Sequence, residues 1–261
     1  MSETIGESRF WNELWTNYHV APSIAFCRVP ELEYASQLDV SGRVLDHCCG
    51  DGRFASLAWP GKKLTAGCDF DKGSIDLANE RKIYSRTDVA DVSKRLPYED
   101  GSFDLVFDNS ALEHVKDVDA ALREVARVLA SGGTFAFNVL NNRYFEWWPL
   151  DENSKKAYRD WQPFYHAWSL QEWRDHLAQA GLKVVTVQGY FNTASAQALA
   201  QLDCEFSGHF ISKRPSKLVQ RYQKWPLIFK RYWRKRLENL TWETASDEGA
   251  GYFIKAAHAD G

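Results

Sequence analysis

From Arg43 onward the chain alternates short apolar runs ending in an acid, glycine or asparagine with stretches of helical spacing, and this alternation narrows the fold more than any other feature. The runs are "RVLDH", "KLTAGCD", "TDVAD", "FDLVFDN" and "GTFAFNVLN". Strands alternating with helices mean βαβ units, hence a parallel sheet with helices on both faces. The segment "SLQEWRDHLAQAGLKVVTVQGYF" continues the pattern: Ser169 and Glu172 form a helix-capping pair, Gly181 stops the helix and a strand follows. Gly132 and Gly133, after "REVARVLA", predict a second helix stop with a strand from about Thr134. "AGYFIKAAH" reads as the last strand.

The flanks look different. Phe10, Trp11, Leu14, Trp15 and Tyr18 recur at helical spacing, then Pro22 and Pro30 punctuate the chain, which predicts a helical N-terminal cap. Between Asn192 and Glu248 lies an irregular, mostly helical insertion without internal repeats. A length of 261 residues suits one domain of this type. Its expected parts are a cap at 1–39, a core at 40–190, an insertion at 191–248 and a last strand at 249–261.

Composition excludes several function classes. The formal charge of -3 gives no global case for nucleic-acid binding. No apolar run approaches the roughly 20 residues that span a bilayer. The five cysteines (Cys27, Cys48, Cys49, Cys68 and Cys204) are odd in number and lack CxxC spacing, and "MSETIGESRF" has no apolar signal core. A reduced, cytoplasmic protein is expected. No metal is expected either, because adjacent Cys48 and Cys49 rarely share one ion and no distant pair completes a set.

In an open α/β sheet, ligands bind at the carboxyl ends of the strands, where the first strand-to-helix turn offers backbone N–H groups. "VLDHCCGDGRF", residues 44–54, occupies that turn. Gly50, Gly52 and Ala55 fit the GxGxxA spacing of NAD-binding proteins, and Asp69 lies about 20 residues on, as a ribose ligand should. Asp46 separates the readings, since a carboxylate there suits a cationic amine and repels a pyrophosphate. It favours S-adenosylmethionine.

These residues resemble the class I S-adenosylmethionine-dependent methyltransferases acting on small molecules and lipids, which have VLDxGCGxGxF at this place. The resemblance extends over "LTAGCDFD", "LPYEDGSFDLVFDNSALEHV" and "ALREVARVLASGGTFAFNV", covering residues 40–190. It implies a Rossmann-like, doubly wound, mostly parallel seven-stranded sheet with an antiparallel last strand, and methyl transfer to a small-molecule, sugar or lipid-linked acceptor, with oxygen weakly favoured. Carried over residue by residue, Asp46 meets the methionine amine, while Cys48, Cys49, Gly50 and Gly52 form the cofactor loop. Asp69 takes the ribose hydroxyls, and Phe70 packs on adenine. Asp91, or else Asp88, reads the adenine amine, and Asn109 and Ser110 face the methyl group or the substrate. Cys48 stands where the family has glycine or alanine. For an oxygen acceptor, His166, His114 and Tyr165 are the candidate bases, histidine titrating near neutrality.

The insertion adds one unusual run. Ten lysines and arginines between Lys213 and Arg236 interleave with Tyr222, Trp225, Phe229, Tyr232 and Trp233, and no acid falls between Glu205 and Glu238. Phe229, Trp233, Leu237 and Leu240 recur at helical spacing, leaving Lys230, Arg231, Arg234 and Lys235 on other faces. Besides a helix packed on its own domain, residues 213–236 suit an anionic membrane surface better than nucleic acid. Two rival functions follow: an NAD-dependent oxidoreductase, and a catalytically silent methyltransferase-like module that binds a membrane.

Overall fold

The sheet is built from largely buried central strands flanked by two edge strands whose middles are exposed or half-buried. In chain order they are β1 (Val44–His47), β2 (Leu64–Asp69), β3 (Tyr84–Val89), β4 (Phe103–Asn109), β5 (Leu129–Leu140), β6 (Leu182–Tyr190) and β7 (Gly251–His258). The spatial order in this computed structural model is β3-β2-β1-β4-β5-β7-β6. Six strands are parallel and the last, β7, is antiparallel, as the resemblance implies. The structure describes residues 4–17, 22–212, 217–244 and 248–260; of the residues singled out above, Tyr18, Lys213 and Arg214 lie outside them, as do the side chains of Tyr222 and Phe229.

Eleven helices are present among the described residues: α1 (Trp11–Asn17), α2 (Pro22–Ala35), α3 (Arg53–Ala58), α4 (Lys72–Arg81), α5 (Val118–Val128), α6 (Arg143–Glu146), α7 (Glu152–Trp161), α8 (Leu170–Gln179), α9 (Thr193–Ser212), α10 (Lys217–Lys224) and α11 (Pro226–Leu237). The chain divides into two compact units: Met1–Glu33, Asn141–Phe164 and Gly189–Gly251 form one, and Tyr34–Leu140, Tyr165–Gln188 and Tyr252–Gly261 form the other. Residues 141–164, which the sequence places within the core, thus group with the N-terminal helices and the insertion.

The second unit holds the sheet. Its helix α5 shows how sequence sets packing: Asp117 caps it by accepting the Ala120 N–H at 3.1 Å, and Val118, Ala121, Leu122, Val125 and Val128 are buried along one face. Each large apolar side chain so buried contributes about 1.5–3 kcal/mol. Helix α8 has the expected reciprocal cap, with Ser169 and Glu172 hydrogen-bonding each other's backbone N–H. Gly181 follows its end in the left-handed region at φ 78°.

Three expectations shift. Gly132 and Gly133 do not stop α5, which ends at Val128 and passes directly into β5. Leu129 pairs with Phe103 and Thr134 with Leu105, so five steps on β5 face two on β4, and Gly132 at φ 74° supplies the left-handed residue of that bulge. Strand β3 starts at Tyr84, before "TDVAD", and ends before Asp91. In the first unit, α2 runs straight through Pro30, held by the buried Phe26, Val29 and Leu32, whose packing outweighs the missing N–H. That unit's core is aromatic: Trp148 and Tyr158 lie 4.2 Å apart, and the hydroxyls of Tyr144 and Tyr158 both donate to Asp203.

Candidate cofactor and acceptor site

The order β2-β1-β4 brings the carboxyl ends of three strands side by side, and with them residues 46–52, 69–71 and 108–110. Backbone conformation shapes the first of these segments. Cys48, Gly50 and Gly52 all have positive φ, at 56°, 53° and 72°. The turn so formed is held internally, the Cys49 N–H donating to the Cys68 carbonyl at 2.9 Å and the Gly52 N–H to the Cys49 carbonyl at 3.0 Å. At Gly50 a Cβ would meet nothing, whereas at Gly52 it would press on the Tyr84 ring at 3.0 Å.

Asp69 ties the loop to the next turn. Its Oδ2 accepts the Gly50 N–H and its Oδ1 the Asp71 N–H, both at 2.9 Å, and the side chain is buried. Each oxygen keeps a second lone pair for a ligand hydroxyl. Asp46 is also buried, and Tyr84 donates its hydroxyl to it at 2.5 Å. Burial, and then the neighbouring Asp108 and Asp69, push the Asp46 carboxyl up to about 7 against the pull of Tyr84. Among the described residues no cation pairs with it. A buried carboxylate in that state has an affinity for an ammonium as well as for a proton.

Tyr84 is a residue that the sequence reading missed. Its ring lies over Gly67 in β2, where an added Cβ would meet it at 3.0 Å and the Cys49 Sγ at 3.1 Å. A glycine inside an otherwise apolar strand was the available signal, since it marks close approach. Burial raises both the Tyr84 hydroxyl and the Cys49 thiol well above their ordinary values, and holds Cys68 at about 12, so all three are neutral near pH 7.

A second missed pair is His47 and Asp108. They are register partners on β1 and β4, fully buried, with Nδ1 and Oδ2 at 2.7 Å. The other Asp108 oxygen accepts the Ala111 N–H at 3.3 Å. Asp108 therefore holds the turn on which Asn109 and Ser110 sit. The Cys48 Sγ lies 3.7 Å from His47 Nδ1, and the ligating atoms of His47, Cys48 and Asp108 all fall within 4.8 Å of one another. Ligand counting along the sequence omitted Asp108, which reaches the cysteine loop from the neighbouring strand. The contact itself is a direct hydrogen bond between the two buried side chains, and it leaves the buried His47 Nε2 without a partner among the described residues.

Of the remaining candidates, Asn109 accepts a hydrogen bond from the buried Asn138 at 2.8 Å, and Ser110, at φ 51°, donates its N–H to the Asn138 carbonyl at 3.0 Å. Phe70 is 79% exposed. Asp88 pairs with Arg86 at 2.7 Å. Asp91 accepts the N–H and hydroxyl of Ser93 and pairs with Lys94 at 3.4 Å. The three candidate bases come together from distant segments: the N–H groups of Tyr165 and His166 both donate to the Glu113 carbonyl, beside His114. His166 Nε2 donates to the Val115 carbonyl at 2.9 Å. A carbonyl only accepts, so Nε2 carries the proton of the neutral ring. Burial lowers its pKa, outweighing the Val115 and Lys116 carbonyls, so the ring is neutral at pH 7.

Residues 45–137 match the family model of a methyltransferase domain. The chain is 29% identical, over 67% of its own length and 64% of the other, to a probable S-adenosylmethionine-dependent methyltransferase of Mycolicibacterium smegmatis. It is 31% identical to the malonyl-[acyl-carrier protein] O-methyltransferase of Yersinia pestis over 52% of each chain. The chain thus spans between half and two thirds of the length of these two curated relatives. Among solved structures, an S-adenosylmethionine-dependent methyltransferase of Thermotoga maritima superposes with a TM-score of 0.58 at 19% identity, covering 96% of this chain and 97% of that one. At that identity the likeness is one of fold.

Proposed function

Since the chain belongs, through its core, to the class I S-adenosylmethionine-dependent methyltransferases, we propose that it transfers a methyl group to an oxygen of a small-molecule, sugar or lipid-linked acceptor. The observation that carries this reading is Asp46, a buried carboxylate without a cationic partner beneath a glycine loop. It fits the amine of S-adenosylmethionine and would repel the pyrophosphate of a dinucleotide. The oxidoreductase alternative is therefore not favoured, and in a module that binds no cofactor the cost of burying Asp46 would be offset only in part, by Tyr84.

In this reading Asp46 holds the methionine amine, and Cys48, Cys49, Gly50 and Gly52 form the cofactor loop, the two glycines letting the backbone approach the cofactor closely. Asp69 accepts from the ribose hydroxyls, Phe70 covers adenine, and Asp91, with Asp88 as the second choice, accepts from the adenine amine. Asn109 and Ser110 line the methyl-transfer position. The bound cofactor supplies an electrophilic methyl on a cationic sulfur. The protein's own work is alignment, which in well-oriented reactions supplies about 7–11 kcal/mol of barrier lowering. Neutral His166 takes the proton of an acceptor hydroxyl, with His114 and Tyr165 beside it. The Yersinia pestis relative is an O-methyltransferase by name, which supports oxygen as the acceptor atom.

The test is calorimetric titration with S-adenosylhomocysteine on the wild type and on Asp69→Ala. Tight binding that is lost in the variant supports the site. Stabilisation by NAD with no response to S-adenosylhomocysteine would overturn it. A labelled-methyl assay against fractionated small molecules, glycans and lipids then identifies the acceptor.

A further inference from the structure

Helix α11 presents to solvent what a helix packed on its own core would bury. Trp233 and Leu237 are buried, forming its inward side. On the outward side Leu227 is 80% and Ile228 68% exposed, with Trp225 and Tyr232 about half exposed beside them. Ten large apolar side chains are exposed among the described residues, and four of them fall within 225–232. Such crowding differs from the scattered apolar exposure of an ordinary surface.

Part of the charge follows the same side: Arg231 and Lys235 are exposed, while Lys230 and Arg234 are half-buried at its edge and Arg234 donates to Asn12 Oδ1. At helical spacing Leu227, Arg231 and Lys235 stand in one row, next to Ile228. Leu227, Lys230, Arg231, Arg234 and Lys235 line a groove of about 510 Å³, with Glu238 as its only carboxylate, at the far end of the helix. Among the described residues no carboxylate pairs with Lys230, Arg231, Arg234 or Lys235. Burial and the nearby Arg234 also lower the pKa of Lys230, as expected where cations crowd without an anion. No described helix is long and apolar enough to cross a membrane.

We propose that the outward face of α11 docks the protein on an anionic phospholipid bilayer, with Leu227 and Ile228 entering the acyl boundary, the exposed Arg231 and Lys235 set against the headgroups, and the half-buried Lys230 and Arg234 adding positive charge at the edge of that face. An apolar first turn followed by cations is the layout of a helix lying in the interface plane. Trp225 and Tyr232 have the amphipathic rings that prefer headgroup depth. Nucleic acid would use the cations and the rings but gives exposed leucine and isoleucine no place. The inference is independent of the acceptor and of the cofactor site.

The experiment is flotation of the full chain with phosphatidylcholine vesicles, with and without phosphatidylglycerol. Binding is expected to the anionic vesicles and to be absent from the neutral ones. Each cation near the surface is worth about five-fold in affinity, so Arg231→Gln with Lys235→Gln should weaken binding about 25-fold. Leu227→Ser with Ile228→Ser should leave a weak attachment that raised salt removes, whereas the wild type resists it. All four positions are exposed, so unchanged melting and S-adenosylhomocysteine affinity should accompany these losses. Failure to float with anionic vesicles, equal binding to both vesicle types, or wild-type vesicle binding by the charge variant would each overturn the proposal. Capture by single-stranded RNA, with vesicles ignored, would overturn it in favour of a nucleic-acid surface.

Discussion

The carboxyl ends of β1, β2 and β4 and the outward face of α11 break the usual rule of burial in opposite directions. At the strand ends, Asp46, Asp69, His47 and Asp108 are ionisable groups taken out of water. On α11, Leu227 and Ile228 are apolar groups left in it. Both cost stability in the isolated chain: burying a charge is unfavourable without a partner, and exposing a branched side chain forgoes about 1.5–3 kcal/mol. The strand ends offset part of their cost internally, through Tyr84 on Asp46 and His47 on Asp108. The apolar side chains of α11 have no such offset. The difference teaches that a buried anion calls for a small ligand that reaches in, while an exposed apolar row calls for a surface that comes to it.

The sharpest way to break the comparison is to remove one half of an internal offset. His47→Leu leaves Asp108 buried without its 2.7 Å donor. Breaking a buried pair of this kind costs about 3–5 kcal/mol, which should show as a lower urea midpoint with an unchanged m-value. Replacing both partners, as His47→Leu with Asp108→Val, should recover much of that loss. A single variant as stable as the wild type would mean that the pair is not what holds the Asn109–Ser110 turn.

Next in size is Asp69→Ala. Two backbone N–H groups lose their acceptor, as would the ribose hydroxyls in the proposed binding mode, and hydrogen bonds to a charged group contribute about 1.5–3 kcal/mol each. A loss of S-adenosylhomocysteine affinity of about 100-fold is expected by calorimetry. On α11 no single neutral substitution should alter that affinity, which is how the two regions are told apart.

The pH dependence of Asp46 gives a smaller effect. Its carboxyl sits at about 7 in the folded protein against 3.8 ordinarily, so the folded state keeps a proton that the unfolded state releases. Stability should therefore fall as pH rises from about 4 to about 7 and level off above. Affinity for a ligand bearing an ammonium should run the other way. It should increase about tenfold per unit up to about pH 7, then flatten, because only the ionised carboxylate attracts a cation. In Asp46→Asn both slopes should vanish.

How much of this was legible depended on whether the residues concerned speak locally. Ser169 and Glu172 are three positions apart, and their reciprocal cap was visible in the sequence because it needs nothing beyond one turn of helix. The seven strands and their antiparallel last member followed from alternation and family resemblance. Gly132 misled because a glycine after a helical run marks equally well a helix stop and a bulge, and only the partner strand decides. Tyr84, Asn138 and the pair of His47 with Asp108 were invisible for the same reason. They depend on register between strands that lie far apart in the chain. The cluster of His114, Tyr165 and His166 was named in advance as separate candidates, yet its assembly rests on the Glu113 carbonyl accepting from residues about fifty positions away. Exposure on α11 was half legible, since periodicity separates the faces but does not say which of two apolar sets the core takes.

The smallest predicted effect concerns Cys48, the one departure in the loop from the family pattern. The structure gives a reason for glycine there: φ is 56°, a left-handed conformation that costs a side-chain-bearing residue about 1–2 kcal/mol. Glycine adopts it without that cost, although it also loses more freedom on folding, which takes back about 0.5–1 kcal/mol. Cys48→Gly should therefore stabilise the fold slightly, by about 1 kcal/mol or less, and keep or improve S-adenosylhomocysteine affinity. The thiol is held neutral by burial and by Asp108, so it offers no thiolate near pH 7. Its Sγ lies beside Asp108 and 3.7 Å from His47 Nδ1, a nitrogen that Asp108 already holds at 2.7 Å. A marked loss of affinity in Cys48→Gly, with stability unchanged, would show that the sulfur itself is used. The strain at this position would then be sustained by the ligand, as we propose for the charge at Asp46.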